Sequence, residues 1–423
     1  MNITFFFPYP YISGIPVLFS NVANYLLSTT DIKVNIIDYK DGALIRSCIK
    51  HDNLNFIEFK DFEPCNLDLD TFLILQAGLP YKLRNELKIG KSVRIFEWAA
   101  FEYNLVPNLS RIGAVRRLQE KSSVIYNLLR VFDYKKNIIL SKWTEELISR
   151  GAIAFMTEII FKTTQKYLGG SQNVKPVYLP NLGTGNSLYN AERLKGKSQE
   201  VKQCMEIAWL GRIADFKISI LNYSIKKIKQ IATNEGLRIN FHIIGDGEYG
   251  NSIEFDGDNE FFCLKNIGSL SKADVDLYLE KNIHCLFAMG TSALDGARLG
   301  LPVVLLDYSY SKIVGDYNFR YLQHATGFDL GHPITAIDFV PDNVSLKNMI
   351  FEMKYHYLIK SNEVLEYYMK NHSVEKITAK LIELIKNNHY YYTEIPADLK
   401  SLSVIRRLYL LYLKKFQKRY YKV

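Results

Sequence analysis

Short apolar runs alternate along the chain with longer segments whose apolar positions recur at helical spacing. In the first half the runs predict strands at residues 2–7, 34–37, 72–75, 93–96 and 137–140. The positions from Val17 to Leu27 predict a helix after the first of them. In the second half the runs predict strands at residues 206–210, 239–244, 261–264, 284–287 and 303–306. This alternation predicts an α/β protein with doubly wound parallel sheets.

A polar stretch, residues 183–203, separates the two series and predicts a linker. The chain has 423 residues, which suits two domains of roughly 180 residues each. We therefore expect Rossmann-like domains at 1–182 and 204–375, followed by C-terminal helices at 376–423. Ligands of open parallel sheets bind beyond the carboxyl ends of the strands. If the two sheets face each other, the site lies in the cleft between them.

Composition narrows the class of protein. With 48% hydrophobic and 23% charged residues, the chain has the composition of a folded protein. Its five cysteines are scattered and never form a C-x-x-C pair, which argues against a disulfide framework or a zinc site and favours a reducing compartment. The first 30 residues carry no charge, but Pro8, Pro10, Gly14 and Pro16 interrupt the apolar run. We therefore expect a cytoplasmic protein without a signal peptide.

The positive charge is concentrated at the C-terminus. The net charge is +9, and eight basic residues with no acid lie between Leu399 and Val423. The remainder is nearly neutral, which argues against a nucleic-acid-binding groove. The spacing of apolar residues from Leu399 to Lys422 predicts a basic amphipathic helix, suited to the anionic inner face of the cell membrane. A basic stretch from Arg111 to Arg130 is a second candidate for that surface. The alternative is a last helix that packs on the N-terminal domain.

Two cations follow the strand that ends at Leu210. Arg212 and Lys217 are five residues apart, where the loop enters the next helix. The dipole at a helix N-terminus repels cations unless an anion lies between them, so a phosphate group is a natural ligand. The alternative is a pair of solvated surface charges with Asp215 as a helix cap. We predict catalytic roles for both cations.

A second candidate segment follows the strand that ends at Phe287. Gly290, Thr291 and Ser292 open a predicted helix whose free backbone N–H groups can bind phosphate oxygens, and Asp295 lies about one turn further along. A carboxylate there can accept hydrogen bonds from ribose hydroxyls. The alternative is an ordinary turn capped by Thr291 or Ser292. Together with the cations, these donor-binding candidates predict a diphosphate site, for which neither a metal nor a cofactor is expected.

The first half offers two weaker candidates. Gly14 lies between the first strand and the first helix, where a ligand can approach the backbone closely, and we assign it to donor binding. Glu97 directly follows the strand at 93–96 and is a candidate catalytic acid, although either residue could serve turn formation alone.

Two further patterns carry less weight. The segment Gly245–Gly250 matches G-x-G-x-x-G, but Asp246 and Glu248 would repel a pyrophosphate, so we predict a tight turn. The triplet Asp256–Asp258 is better explained as an acidic loop than as a metal site.

These motifs resemble the retaining glycosyltransferases of GT-B fold related to the bacterial family-four enzymes, over roughly residues 1–390. The matching segments are Gly14–Asn21, Leu140–Ser141, Pro180–Asn181, Gly211–Lys217, Ile244–Gly247 and Met289–Val304. The resemblance implies that Gly290 and Thr291 hold the donor phosphates and that Asp295 holds the ribose where the family usually has Glu. It also implies a nucleotide-diphosphate sugar as donor, and a glycan or lipid-linked acceptor in bacterial surface polysaccharide synthesis.

Two departures from the family pattern leave alternatives open. The family's first glutamate falls on Phe287, and its N-domain histidine is replaced by Glu97 and Trp98. The missing glutamate favours a non-catalytic scaffold of the same fold as one alternative. A nucleotide-sugar epimerase or hydrolase is the other.

Overall fold

Contacts divide the chain into two compact units. The computed structural model describes residues 1–102, 104–105, 134–168, 174–183, 190–335, 338–339 and 345–401. Unit 1 comprises residues 1–181 and 378–423, and unit 2 comprises residues 182–377. The described residues 378–401 thus belong to unit 1.

Unit 1 is built on a six-stranded parallel sheet with the order β3-β2-β1-β5-β7-β8. Two short strands, β4 and β6, pair separately. The strands are β1 (Asn2–Phe6), β2 (Lys33–Asp38), β3 (Leu54–Glu58), β4 (Cys65–Leu67), β5 (Phe72–Gln76), β6 (Leu87–Ile89), β7 (Arg94–Ala99) and β8 (Ile153–Phe155). The strand order reverses between β1 and β5, the switch point at which open α/β sheets leave a crevice.

The helices of unit 1 include one that the sequence analysis assigned as a strand. They are α1 (Gly14–Thr29), α2 (Ala43–Arg46), α3 (Tyr134–Ser149) and α4 (Glu158–Leu168). The predicted strand at residues 137–140 is wrong, because it lies within α3, whose buried positions Asn137, Leu140, Thr144 and Leu147 follow helical spacing. The short run Ile138–Leu140 is therefore one turn of an amphipathic helix, and the family resemblance of Leu140–Ser141 as a strand element fails with it.

Unit 2 repeats this arrangement with a second six-stranded sheet of order β11-β10-β9-β12-β13-β14. Its strands are β9 (Met205–Leu210), β10 (Ile239–Ile244), β11 (Phe262–Gly268), β12 (Cys285–Ala288), β13 (Val303–Leu305) and β14 (Arg320–Tyr321). All pairs are parallel except that of β13 with β14. The switch point lies between β9 and β12.

Helices precede, connect and follow the strands of this sheet along the chain. They are α5 (Ala191–Gln203), α6 (Asp215–Glu235), α7 (Lys272–Asn282), α8 (Thr291–Arg298), α9 (Ser345–Tyr355), α10 (Tyr357–Asn371) and α11 (Val374–Lys386), the last of which runs from unit 2 into unit 1. Helix α5 falls in the segment expected to be a linker, and the Asn190 side chain caps its start by accepting from the Arg193 N–H. Helix α6 ends at Gly236, whose positive φ of 64° suits glycine.

The core confirms the predicted fold class. The central strands of both units are almost entirely buried, as expected where helices cover both faces of a parallel sheet. Among the described residues, no helix is long and apolar enough to span a bilayer. The predicted basic helix lies outside the described residues from position 402, and so does the basic stretch from Arg111 to Arg130.

Candidate functional site

The switch point of unit 2 brings two of the predicted segments together. Strands β9 and β12 are neighbours, and Leu210 pairs with Ala288 in their register. Adjacent strands lie about 4.8 Å apart. The loops that begin at Gly211 and Met289 therefore leave the sheet side by side, at the edge where ligands of this architecture bind.

The loop Gly211–Ala214 is shaped by the glycine turn that follows β10. The N–H of Gly211 donates to the Ile244 carbonyl (3.1 Å), and the N–H of Ile213 donates to the Asp246 carbonyl (2.8 Å). A Cβ at Gly245 would lie 2.2 Å from the Gly211 carbonyl oxygen, so only glycine allows this approach. The segment Gly245–Gly250 is thus a turn that supports the neighbouring loop, and a short 3₁₀ helix (Gly250–Ser252) follows it.

Arg212 and Lys217 lie close together, and the described residues offer neither of them a counterion. Arg212 is exposed and Lys217 half-buried, and neither has a carboxylate within salt-bridge distance among the described residues. Burial, and then the positive charge of Arg212, lower the pKa of Lys217 to about 8. Two like charges held together in this way favour an anion between them. The pair is therefore the strongest indication of an anion site in unit 2.

The start of α8 adds uncapped backbone donors to the same edge. Gly290 precedes the helix with φ 64°, ψ −144°, and no side chain in the described part of the chain caps this end. The first N–H groups of a helix have no intrahelical partner, so those of Thr291 and Ser292 are available to an anion. Thr291 is exposed and Ser292 half-buried. A Cβ at Gly290 would meet nothing within 4 Å, so space remains in front of this turn.

Asp295 lies within an ion-pair cluster. Its Oδ1 accepts a hydrogen bond from Lys272 Nζ (2.5 Å) and lies 3.8 Å from Nε of the buried Arg298. Asp276 pairs with both of these cations, so two acids and two bases compensate each other. The structure thus places Asp295 one turn into α8, already engaged by cations. Its role in ribose binding stays a prediction.

A second charged cluster supports the segment before α8. Asp307, Asp329 and His332 bring three possible metal-ligand atoms within 4.8 Å of one another. However, Arg320 donates to both carboxylates, at 2.7 Å to Asp307 Oδ1 and 2.8 Å to Asp329 Oδ2. The guanidinium already supplies the positive charge there, so we interpret the cluster as a structural network.

This network fixes a loop that contacts Gly290. Burial opposes the charge on His332, but hydrogen bonds to Asp329 and Asp338 raise its pKa to about 10. The loop that carries Asp329 and His332 includes Leu330, whose carbonyl accepts the N–H of Gly290 at 2.6 Å. The network therefore helps to hold the backbone from which α8 begins.

Unit 1 contains a cavity of about 210 Å³ at its own switch point. Its walls come from the ends of β1 and β5, from the interior of β7 and from the loop that follows β5, and they include Phe6, Phe7, Gln76, Gly78, Leu79 and Glu97. Glu97 was predicted to follow its strand; that placement is wrong, because Glu97 lies within β7, paired with Leu75 and only 5% exposed. Burial raises its pKa to about 8, against the lowering effect of the Gly78 backbone hydrogen bond.

Gly14 lies at the start of α1 and is exposed. A Cβ at this position would meet no atom within 4 Å, and Gly14 does not have a positive φ. The fold therefore does not require glycine here, and its predicted role in ligand binding remains a prediction.

Within unit 2, the structure brings the segments of Arg212, Lys217 and Gly290 to one edge of the sheet.

The residues that support these sites are not evident from the sequence pattern. Lys272 pairs with Asp295 across 23 positions, and Arg320 pairs with Asp307 across 13. One signal was available: Asp307 follows the apolar run at residues 303–306, at the carboxyl end of a strand. Nothing in the spacing identifies its partners.

Comparison with known proteins supports the fold. Neither a known family model nor a curated protein matches the sequence. A solved structure from E. coli, described as trehalose-6-phosphate bound with UDP-2-fluoro glucose, is similar at a TM-score of 0.52 and 11% identity, covering 95% of this chain and 100% of that one. A glycosyltransferase from Rickettsia africae is similar at 0.51 and 13% identity, covering 91% and 97%. These likenesses show the two-domain Rossmann-like fold known as GT-B.

Proposed function

We propose that the protein is a glycosyltransferase whose unit 2 binds the diphosphate of a nucleotide sugar. The observation that carries the proposal is the pair Arg212 and Lys217, two cations with no counterion among the described residues, beside the start of α8, which no described side chain caps. Similar structures include a glycosyltransferase and a protein bound to UDP-2-fluoro glucose, which supports a nucleotide-sugar donor.

In the proposed reaction the bond between the sugar's anomeric carbon and the diphosphate oxygen breaks. A hydroxyl oxygen of the acceptor forms the new glycosidic bond, and its proton passes to an oxygen of the leaving diphosphate. Negative charge grows on the leaving diphosphate, and the fixed cations and N–H groups stabilise it in the transition state. These groups provide the charge compensation that a metal ion supplies in other transferases.

We further propose a glycan or lipid-linked acceptor of a bacterial surface polysaccharide, with retention at the anomeric carbon and association with the inner face of the cell membrane. The family resemblance and the basic composition of residues 399–423 support these finer assignments.

The test is to incubate the protein with UDP-, GDP-, ADP- and dTDP-sugars, with and without a glycan acceptor, and to identify the products. We expect the sugar to be joined to the acceptor and little donor to be consumed in its absence. Rapid donor conversion without acceptor would instead identify an epimerase or hydrolase.

One observation favours a second candidate, a scaffold of the same fold that binds no donor. Phe287 occupies the position of the family's first glutamate and is a fully buried core residue that contacts Phe241 and Phe319. A thermal-shift panel of nucleotides distinguishes the two, because a ligand present at 100 times its Kd stabilises a protein by about 2.7 kcal/mol. A scaffold shows no shift with any nucleotide.

A further inference from the structure

The cavity of unit 1 contains a buried carboxyl group that the fold does not explain. Among the described residues, Glu97 Oε2 is buried without a hydrogen-bond partner, and no cation lies within salt-bridge distance of this side chain. An unpartnered buried polar atom is costly, and an ionised one costs more. Such a group is expected to be neutral and to acquire a partner from a ligand.

We propose that this cavity binds a single sugar ring or a similarly small neutral polyol, with the protonated carboxyl of Glu97 donating a hydrogen bond to a hydroxyl oxygen. The identification of this ligand as part of the glycosyl acceptor rests on the proposed function. The binding itself concerns unit 1 alone.

The size and walls of the cavity support this ligand class. At about 210 Å³ it is smaller than the pockets of roughly 300–1,000 Å³ that hold drug-sized ligands, so one ring is the fragment that fits. Phe6, Leu75 and Leu79 give apolar walls for the carbon face of a ring, while Gln76 and Glu97 supply polar atoms.

The charges near the cavity agree with a neutral ligand. Lys82 and Arg84 are the two cations that line it; Lys82 is exposed, and Arg84 pairs with Asp61 and Glu86. Neither contributes to the shifted pKa of Glu97, which reflects burial. An anionic ligand would have to lie against the buried carboxyl group of Glu97, whose ionised form would repel it.

Aromatic side chains extend from the cavity along the loop after β1. Phe7 lines the cavity and contacts Tyr9, which contacts Tyr11, with ring centroids 5.8 Å apart in both pairs. Tyr11 is 53% exposed, and the backbone N–H of Tyr9 is held by Asp38 Oδ1 at 3.0 Å. Amphipathic rings of this kind suit further units of a longer glycan.

The test is saturation-transfer NMR on the full chain with methyl α-D-glucopyranoside, methyl α-D-galactopyranoside and glycerol as probes. Glu97→Gln keeps a neutral donor, whereas Glu97→Met keeps the size but removes the hydrogen bond. We expect at least one probe to bind wild type and Glu97→Gln equally at pH 6.5 and Glu97→Met at least tenfold more weakly. From pH 7 to 9 wild type should lose about tenfold in affinity and Glu97→Gln should not.

Several results would overturn the inference: no binding of any probe to wild type at pH 6.5, equal binding by Glu97→Met, or loss of binding by Glu97→Gln. Binding of inorganic phosphate in place of the neutral probes would also overturn it. Circular dichroism and thermal unfolding establish that each variant is folded. UDP titration of the same samples separates the two proposals, because a failure in unit 2 removes UDP binding and leaves the sugar signal, and a failure here does the reverse.

Discussion

The switch points of the two sheets occupy the same place in the same topology but present opposite chemistry. In unit 2 the edge between β9 and β12 carries Arg212, Lys217 and an uncapped helix start. In unit 1 the edge between β1 and β5 borders a cavity lined by the buried acid Glu97, whose Oε2 atom has no hydrogen-bond partner among the described residues. The shared strand order determines where a ligand can bind, and the side chains at the strand ends determine which ligand.

Burial shifts the pKa of one group in each unit toward the same value. It lowers the pKa of Lys217 to about 8 and raises that of Glu97 to about 8. Below this pH Lys217 is charged and Glu97 is neutral, which suits an anion in unit 2 and a hydroxyl in unit 1. Above it Lys217 loses its charge and Glu97 gains one, so both preferences weaken. Binding of an anion to unit 2 and of a neutral hydroxyl compound to unit 1 should therefore both decline in alkaline solution.

The largest expected effect comes from removing both cations of unit 2. Each single substitution, Arg212→Ala or Lys217→Ala, should lower kcat by about 100-fold, and the double substitution should lower it by about 1,000-fold or more. The reason is that the negative charge on the leaving diphosphate is no longer stabilised in the transition state. Initial transfer rates measure this. Lys226→Ala is the matched control, an exposed lysine on the same helix, and should keep normal rates. Normal transfer by both single variants would refute the assignment.

The next largest effect concerns the stability of unit 1. The pKa of folded Glu97 lies above its ordinary value of 4.5, so its contribution to stability is fully present below about pH 4.5 and is lost as pH rises toward about 8. Relative to wild type, Glu97→Gln should gain about 1.4 kcal/mol in unfolding free energy per pH unit across this window. Urea unfolding at several pH values measures it. The control is Glu58→Gln, at an exposed position in the same sheet. Its unfolding free energy should depend on pH in the same way as that of wild type.

A smaller effect is expected on the pH dependence of nucleotide binding. Phosphate binding requires protonated Lys217, so the affinity for UDP should fall about tenfold between pH 7 and 9, as this amine loses its proton near pH 8. Lys217→Arg keeps its charge at both pH values and should bind UDP with little change. Calorimetry at three pH values measures this. An equal decline in the variant would assign the titration to another group.

The smallest effect is predicted at Gly14. Because a Cβ there meets no atom and the backbone φ is not positive, Gly14→Ala should change the unfolding free energy by less than about 0.5 kcal/mol. If a ligand approaches this backbone closely, transfer will slow although stability is unchanged. Unaltered rates would remove Gly14 from the predicted site.

The sequence predicted the scaffold well because its signals are local. Buried parallel strands appear as short apolar runs, and cations or glycines directly after them mark the ligand edge, which located Arg212, Lys217 and Gly290. The same signal was ambiguous at residues 137–140, where one turn of an amphipathic helix has the apolar length of a strand.

The rest depends on partners that are distant along the chain. Whether Glu97 is buried depends on the loop after β5, and whether Asp295 can reach a ribose depends on Lys272 and Arg298. Arg320 converts a potential metal-binding cluster into a structural network. Such pairings are set by tertiary packing, which the spacing of residues in one sequence does not encode.

Calorimetric titration of UDP into wild type and into the Arg212→Ala/Lys217→Ala variant at pH 7 decides whether these two cations form a diphosphate site. We expect saturable binding by wild type, at least a hundredfold loss of affinity in the folded double variant, and unchanged affinity in Lys226→Ala. Equal affinity in all three proteins, or no binding by wild type to UDP or any other nucleoside diphosphate, would contradict a diphosphate site at the carboxyl edge of unit 2.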